Sequence, residues 1–207
     1  MAKEKKLFRE TRLYTILFMI GITIFFVGIL ATFYQLTLER VERYNLIQKK
    51  TMVLETFNLL LDNVDESFNK FITTKGTDEF TYYAATKDEV FLGYCFPISG
   101  SGLWGTIDAL LSITPDYSKI INIEIVQQNE TPGLGGRITE DWFKDQFQGK
   151  ILYVGNTLQK YSLILERNSA NKTEINQITG ATASSKAVID MIYKNMQIIE
   201  KNVRAEL

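Results

Sequence analysis

The segment IINIEIVQQNETPGLGG spans Ile120–Gly136 and joins a run of β-branched residues to a glycine-rich loop. The run over 120–126 predicts a strand, because Ile and Val are enriched in strands. The loop over 128–136 follows directly, and its glycines could bring backbone N–H groups against a flat ligand that Cβ atoms would otherwise keep away. Its spacing fits neither GxGxxG nor a P-loop, so a structural turn and a cofactor cradle both remain open. Glu130 could accept a hydrogen bond from a ligand N–H or cap the turn.

Short strands and two helices are predicted on either side of this segment. Runs rich in β-branched and aromatic residues indicate the strands, and helical spacing of apolar residues indicates the helices. Together they predict an α+β fold in which a small antiparallel sheet is flanked by helices. The strands are expected at 80–84, 90–98, 149–155 and 161–165, and the helices at 141–147 and 184–202.

A second glycine-containing loop, GSGLWG at 100–105, places an aromatic side chain among conformationally permissive residues. One interpretation is a tight hairpin whose Trp104 fills the core. The other is a platform for a flat ligand. Spacing alone does not choose between them.

A third loop, NQITGATASS at 176–185, leads into the predicted C-terminal helix. A hydroxyl of Thr182 or Ser184 could simply cap the helix. Alternatively, an anionic phosphate could bind the helix N-terminus, where unpaired N–H groups and the helix dipole favour negative charge. Small residues at Gly180 and Ala181 would then leave the Thr182 hydroxyl open to a modifying enzyme.

The N-terminal part of the chain predicts a membrane anchor. No residue from Leu13 to Leu38 is charged, and 26 residues form a helix of about 39 Å, enough to cross a hydrocarbon core of roughly 30 Å. A secretory signal peptide is the alternative, but its apolar region usually has about 7 to 15 residues. The first 12 residues carry five basic side chains against two acidic ones, which predicts a cytoplasmic N-terminus and an exported remainder.

Between the anchor and the predicted sheet, apolar residues recur at helical spacing over 39–71. This pattern predicts one long helix leaving the membrane, with an apolar stripe that packs on the domain or binds a separate partner. The expected organisation is a cytoplasmic N-terminus at 1–12, a transmembrane helix at 13–38, a helical stalk at 39–75 and a globular domain at 76–207.

Composition excludes several classes of chemistry. The chain has no histidine, which removes imidazole bases and histidine-ligated metal or haem. One cysteine cannot hold an iron–sulfur cluster, so redox chemistry would need an organic cofactor, and no metal site is expected. Cys95 is expected to be a buried core residue, with a reactive or palmitoylated thiol as the alternative. Beyond residue 12, 18 basic and 22 acidic side chains give no cationic surface for nucleic acid.

The three loops together resemble the FMN-binding domain family. That family includes the G subunit of Rnf complexes, which are ion-translocating ferredoxin:NAD oxidoreductases, and the C subunit of the sodium-translocating NADH:quinone reductase. The matching residues are GLW at 102–104, ETPGLG at 130–135 and TGAT at 179–182.

In that family, the last threonine of the Ser/Thr-Gly-Ala-Thr motif carries FMN through a phosphoester that a flavin transferase makes from FAD. The resemblance therefore implies Thr182 as the attachment site, with Thr179, Ser184 and Ser185 as alternative acceptors. The family usually has an acidic residue three positions before the Ser/Thr that opens the motif. In this chain that Ser/Thr is Thr179, and the residue three positions before it is Asn176. Implied FMN contacts come from all three loops: Gly102, Leu103, Trp104, Glu130, Thr131, Gly133, Leu134, Gly135, Thr179, Gly180, Ala181 and Ser185.

The resemblance implies a membrane-anchored flavoprotein subunit that relays electrons within an ion-translocating redox complex. The short chain favours the Rnf type over the quinone-reductase type. Its partners would be the other membrane subunits and, during maturation, the flavin transferase. It would span the inner membrane once, with the FMN domain on the extracytoplasmic side. The alternatives are a stand-alone exported flavoprotein that passes electrons to an extracytoplasmic acceptor, and a non-redox anchored binding domain.

Overall fold

The computed structural model describes residues 12–77, 80–165 and 172–203. Two compact units are present, and the division falls between Leu46 and Ile47, inside the first helix α1 (Arg12–Glu55). The basic N-terminal residues on which the expected orientation depends lie outside the described residues, apart from Arg12.

The first unit contains the apolar part of α1. Among the described residues, α1 is the one helix that is long and apolar enough to cross a membrane, with a mean hydropathy of 2.6 over its most apolar stretch. The hydroxyls of Thr23, Thr32 and Thr37 each donate to the carbonyl four residues earlier, at 2.8 Å. These bonds matter in a bilayer, where no water is available to satisfy a polar side chain.

The expected single helix over 39–71 is wrong, because the chain breaks after Glu55 and resumes as α2 (Val64–Phe71). Asn58 adopts a left-handed conformation with φ of 54°, which closes the last turn, and the N–H of Leu59 donates to the carbonyl of Leu54 at 2.9 Å. Asn63 then caps α2, since its side chain accepts from the N–H groups two and three residues on. In place of the expected stalk, the chain has the end of α1, a connecting segment and the short helix α2, and a strand begins at the next residue, Ile72.

The second unit is built on a five-stranded antiparallel sheet in which consecutive strands are neighbours, in the order β1-β2-β3-β4-β5. This confirms the predicted α+β class with an antiparallel sheet flanked by helices. The strands are β1 (Ile72–Thr77), β2 (Phe80–Lys87), β3 (Val90–Ser101), β4 (Thr106–Ile113) and β5 (Ile120–Gln127).

Both faces of the sheet are covered. On one face, Tyr94, Phe96 and Ile98 of β3 belong to the larger core, which also contains the helix at the C-terminal end of the described chain, α4 (Thr182–Asn202). On the other face, Cys95 packs in a smaller cluster with Val53 and Leu54 from the end of α1. The alternation of side chains along the strand thus feeds two separate cores.

Short elements complete the second unit. Of the predicted strand at 149–155 only β6 (Tyr153–Val154) forms, paired with β7 (Thr157–Leu158). The predicted strand at 161–165 is β8 (Ser162–Ile164), which pairs in parallel with β9 (Glu174–Asn176). The helix expected at 141–147 is α3 (Asp141–Lys144) followed by a 3-10 turn, and it is tied to β5 by a 2.7 Å ion pair between Lys144 and Glu124.

Cys95 supplies a test of the smaller core. Its side chain is fully buried, and burial raises the pKa of the thiol to about 12. Because the thiolate is the reactive form, we expect no reaction with a thiol reagent at about pH 8 in the folded protein and complete reaction in concentrated guanidinium chloride. The absorbance of the chromophore that the thiol reagent releases measures the extent of reaction in the folded and in the denatured protein. Rapid labelling of the folded protein would show that Cys95 is accessible and that this core is open.

Candidate functional site

The first loop forms the tip of the β3–β4 hairpin. Ser101 pairs with Thr106, and the N–H of Gly102 donates to the carbonyl of Gly105 at 2.7 Å. The hairpin is as expected, but a core position for Trp104 is wrong, since 69% of its surface is exposed. Leu103 beside it is also exposed, at 59%. The tip therefore presents two large apolar side chains to solvent, which is unusual unless something binds them.

The second loop begins with a tight turn. The N–H of Leu134 donates to the carbonyl of Thr131 at 3.1 Å, and Gly133 has φ of 75°. Proline at the second position and glycine at the third are the residues that a type II turn requires. A 3-10 turn over 135–139 follows. Thr131, Pro132, Gly133 and Leu134 are all exposed at the turn.

The third loop ends at the first residue of α4, Thr182. The capping residue Ala181 has no side chain that could accept a hydrogen bond, and no side-chain cap is present. Capping by Thr182 or Ser184, the structural alternative considered from the sequence, is therefore wrong. Thr182 is exposed at the first helical position. The helix thus begins with an exposed threonine and has no acidic residue in its first turn.

The hydroxyls around Thr182 differ in accessibility. Ser185 is fully buried, accepts from the N–H of Ile178 at 3.0 Å and donates to the carbonyl of Ala181 at 3.0 Å. Ser184 is 1% exposed. Thr179 is exposed and lies in the turn before the helix. Of the four candidate acceptors, Thr182 and Thr179 are the two that a modifying enzyme could reach in the folded protein.

The three loops meet at one carboxylate. Glu130 is 4% exposed, and its Oε1 accepts from the backbone N–H groups of Leu103 at 2.7 Å and Trp104 at 3.1 Å. Its Oε2 accepts from the hydroxyl of Ser184 at 2.5 Å. The backbone N–H of Glu130 donates a hydrogen bond to Gln128 Oε1 at 2.5 Å. Glu130 therefore binds both the hairpin tip and the start of α4.

Glycines allow the loops to approach one another. A Cβ on Gly102 would collide with the Glu130 carboxylate, and one on Gly135 would collide with the Ser184 hydroxyl and lie 2.8 Å from Glu130 Oε2. Gly180 has φ of 78°, and a Cβ there would lie 3.2 Å from the Leu134 side chain. These glycines permit packing between protein segments.

Two groups can be distinguished among the larger side chains of the sequence-predicted site. Three large apolar side chains are exposed on the loops that Glu130 connects, at Leu103, Trp104 and Leu134. The side chains of Glu130 and Ser185, which the sequence also suggested as ligand contacts, are buried and hydrogen-bonded to protein groups. The sequence suggests Ser184 only as a cap or an acceptor, and no local pattern indicates that Glu130 is its partner.

A charged cluster that the sequence did not reveal follows the second loop. Arg137 donates to both carboxylate oxygens of Glu140, at 3.1 and 3.2 Å, and its guanidinium lies 5.5 Å from the ring centre of Trp142. The indole N–H of Trp142 also donates to Glu140. The hydrogen bonds from Arg137 and Trp142 lower the pKa of Glu140.

Asn176, where the family motif usually has an acid, lies at the end of β9. Its backbone N–H donates to Gln146 Oε1 at 2.7 Å, and its carbonyl accepts from Gln146 Nε2 at 3.2 Å. Two hydrogen bonds with Gln146 therefore hold the main chain at this position.

The region of the chain that is similar to known proteins overlaps all three loops of the candidate site. A family model described as an FMN-binding domain matches residues 102–197, which contain most of the first loop and all of the other two. The G subunit of the proton-translocating ferredoxin:NAD(+) oxidoreductase complex of Clostridium ljungdahlii is 33% identical over 190 residues, which cover 91% of this chain and 90% of that protein. The chain belongs to the FMN-binding domain family.

Two further relatives show how far the similarity extends. The C subunit of the Na(+)-translocating NADH-quinone reductase of Neisseria meningitidis is 34% identical over 94 residues, which cover 44% of this chain but only 36% of that protein. The crystal structure of the C subunit of the same kind of reductase from Parabacteroides distasonis superposes with a TM-score of 0.64 at 23% identity, over 79% of this chain and 96% of that one. The superposition shows that this FMN-binding domain protein shares the fold of that relative.

The close approach of Gly135 to Ser184 can be tested by substitution. A methyl group at Gly135 must separate Ser184 from Glu130, so we expect Gly135→Ala to lower the free energy of unfolding by about 1 to 3 kcal/mol. Gly136→Ala is the neighbouring control with the milder contact, because its Cβ would lie 3.3 Å from the Thr131 carbonyl oxygen, whereas the Cβ at residue 135 would collide with the Ser184 hydroxyl. Chemical denaturation followed by circular dichroism measures both. Equal stability of the two variants would contradict the tight contact.

Proposed function

We propose that this FMN-binding domain protein carries FMN covalently on Thr182, through a phosphoester, and relays electrons as a subunit of an ion-translocating redox complex of the Rnf type. Membership of the family supports FMN as the cofactor, and the 33% identity to the clostridial G subunit over 91% of the chain supports the Rnf type over the quinone-reductase type. The single observation that carries the attachment site is the exposed Thr182 at the uncapped start of α4.

The residues present fit a flavin phosphate at this position. The first N–H groups of a helix lack partners within the helix, and a side-chain cap normally satisfies one of them. Ala181 provides no such cap, and the first turn contains no acidic residue. A phosphate on Thr182 would be the acceptor for these groups, and the positive end of the helix dipole would favour its charge.

The exposed apolar side chains fit the flavin ring system. Leu103 and Trp104 on the hairpin and Leu134 on the second loop would pack against a flat aromatic group, which would remove their apolar surface from water. The backbones of Gly102, Gly133, Gly135, Gly180 and Ala181, with the side chains of Thr131 and Thr179, would complete the cradle. In this arrangement the buried Glu130 and Ser185 would not contact the flavin but would hold the loops of the cradle in place through hydrogen bonds.

Attachment would be the work of a flavin transferase that uses FAD. The Thr182 hydroxyl oxygen forms a bond to the FMN phosphorus, the bond between the two phosphates of FAD breaks, the hydroxyl proton is lost to a base of the transferase, and AMP leaves. The exposure of Thr182 and the small size of Gly180 and Ala181 would give the transferase access to this hydroxyl.

When bound, FMN supplies the electron-accepting and electron-donating group, and the chain's own residues position it and set its surroundings. The α1 helix anchors the protein in the membrane beside the other subunits of the complex. Because Leu13–Leu38 contains no charged residue, this membrane-crossing part of α1 offers no charged group for moving an ion, so the ion path would lie in other subunits. An excess of basic residues before the helix supports a cytoplasmic N-terminus and an FMN domain on the extracytoplasmic side.

Covalent flavin on Thr182 can be tested by mass. We expect the full chain, extracted from membranes after co-expression with a flavin transferase, to show an FMN-sized mass increment and in-gel flavin fluorescence. Both should disappear in Thr182→Ala and persist in Thr179→Ala, the control with the other exposed hydroxyl. Thr182→Ser should restore part of the signal, since it keeps the hydroxyl. Modification of Thr182→Ala would refute this attachment site.

The side chain at Asn176 should affect the rate of attachment. A carboxylate there would offer the transferase a charge-assisted hydrogen bond, while Gln146 would hold the backbone unchanged. We therefore expect Asn176→Asp to raise the initial rate of flavinylation by up to about tenfold, a change worth one such bond. Asn176→Ala is the control for loss of the amide. Equal rates for the wild type and Asn176→Asp would show that the transferase does not read this position by its charge.

A further inference from the structure

The Glu130 carboxylate is the polar group on which the arrangement of the site depends. Its side chain is 4% exposed, so water cannot replace its partners. A buried carboxylate without hydrogen bonds would be strongly destabilising, and this one is satisfied by groups from two other segments. Removing it would leave the buried hydroxyl of Ser184 and the part-buried N–H groups of Leu103 and Trp104 without this acceptor.

The first pair of donors fixes the direction of the hairpin tip. The N–H groups of Leu103 and Trp104 converge on Oε1 at 2.7 and 3.1 Å. Because both belong to the backbone, the carboxylate orients the peptide units from which the two exposed apolar side chains project. These hydrogen bonds to a charged acceptor are stronger than those between neutral groups.

The remaining donor fixes the start of α4. Ser184 is the third residue of the helix, two positions after Thr182, and its hydroxyl donates to Oε2 at 2.5 Å. Ser184 therefore holds the first turn of the helix, and with it Thr182, against the loop that contains Glu130. The Trp104 backbone and the Ser184 side chain share the same carboxylate.

We propose that Glu130 is a positioning residue that holds the Leu103–Trp104 tip and the Thr182 helix start in one fixed arrangement before the flavin is attached. This rests on the proposed attachment at Thr182. The carboxylate acts through its partners, since it is buried and its hydrogen bonds go to protein groups. Its effect is to preassemble the two halves of the cradle, so that the transferase meets an ordered threonine and an ordered apolar surface.

Two substitutions separate the bonds of Glu130 from its side-chain volume. Glu130→Gln keeps the shape, and its amide can still accept from the hairpin N–H groups and donate to the Ser184 oxygen. Glu130→Ala removes every bond. We expect flavinylation of the full chain by a flavin transferase and FAD to proceed near the wild-type rate in Glu130→Gln and at least about tenfold more slowly in Glu130→Ala. Ser184→Ala, which loses one bond, should fall between them.

A readout on protein without flavin tests the clamp itself. In a Trp142→Phe background, Trp104 is the only tryptophan, so its fluorescence reports the hairpin tip. We expect Glu130→Ala to lower the steady-state anisotropy of Trp104 and to raise the amplitude of the fast component of its anisotropy decay, and Glu130→Gln to leave both unchanged. Cys95→Ala is the control for general destabilisation, because Cys95 lies in the separate core on the opposite face of the sheet. It should move neither signal below its melting temperature.

The outcomes distinguish this proposal from the proposed function. Wild-type rates and unchanged Trp104 signals in Glu130→Ala would overturn the positioning role. Equal slowing by Cys95→Ala would also overturn it, since the effect would then be one of stability. If the wild type were not modified at Thr182, the proposed function would fail, while the Trp104 signals would still decide whether Glu130 holds the hairpin tip.

Discussion

A buried carboxylate has to be hydrogen-bonded, and in this protein the requirement is met by bringing distant segments together. Glu130 lies 27 positions from Leu103 and 54 from Ser184 in sequence, yet both are hydrogen-bonded to it. An unpaired charge in this place would cost several kcal/mol, which is a large part of the stability of an ordinary domain. The hairpin, the turn after β5 and the start of α4 are therefore held together in the folded protein. The glycines at 102 and 135 follow from the same requirement, because a larger residue at either would push the partners apart.

Much of the fold could be predicted from the sequence, and the failures have local physical causes. The predicted strands at 80–84, 90–98 and 120–126 match β2, β3 and β5, and the apolar anchor and the C-terminal helix are present as predicted, whereas β1 falls at the end of the predicted stalk. Strand β4 was missed because both of its faces are buried and it contains Ala109, Leu110 and Leu111, so it shows neither alternation nor strong strand preference. The single helix predicted over 39–71 is too long because the apolar spacing continues across the break. Asn58 ends the first helix and Asn63 begins the second, but the short segment between them does not interrupt the apolar pattern.

The sequence motifs indicate which loops contribute to the candidate site, but they do not indicate how the side chains on those loops are arranged. The motifs identified the three loops that Glu130 connects, but they could not show which side chains face outward. Trp104 is exposed although a core position was one of its two interpretations, whereas Glu130 and Ser185 were expected to meet the ligand and are buried. Neighbouring residues of one motif can therefore differ in burial, because some have hydrogen-bond partners in their own loop and others have partners in a distant loop. Pairing over 54 residues, as between Glu130 and Ser184, leaves no trace in local spacing.

The way α1 ends affects how the flavin domain could ever leave the membrane. Val53 and Leu54 near the C-terminal end of this helix are fully buried in the smaller core, together with Phe57 and Leu59 from the following turn. A protease that cut beyond this point would release a fragment with a bare apolar face on its sheet, and such fragments tend to aggregate. Shedding of an intact domain would therefore require cleavage before Ile47, where the second compact unit begins, and not in the last two turns of α1.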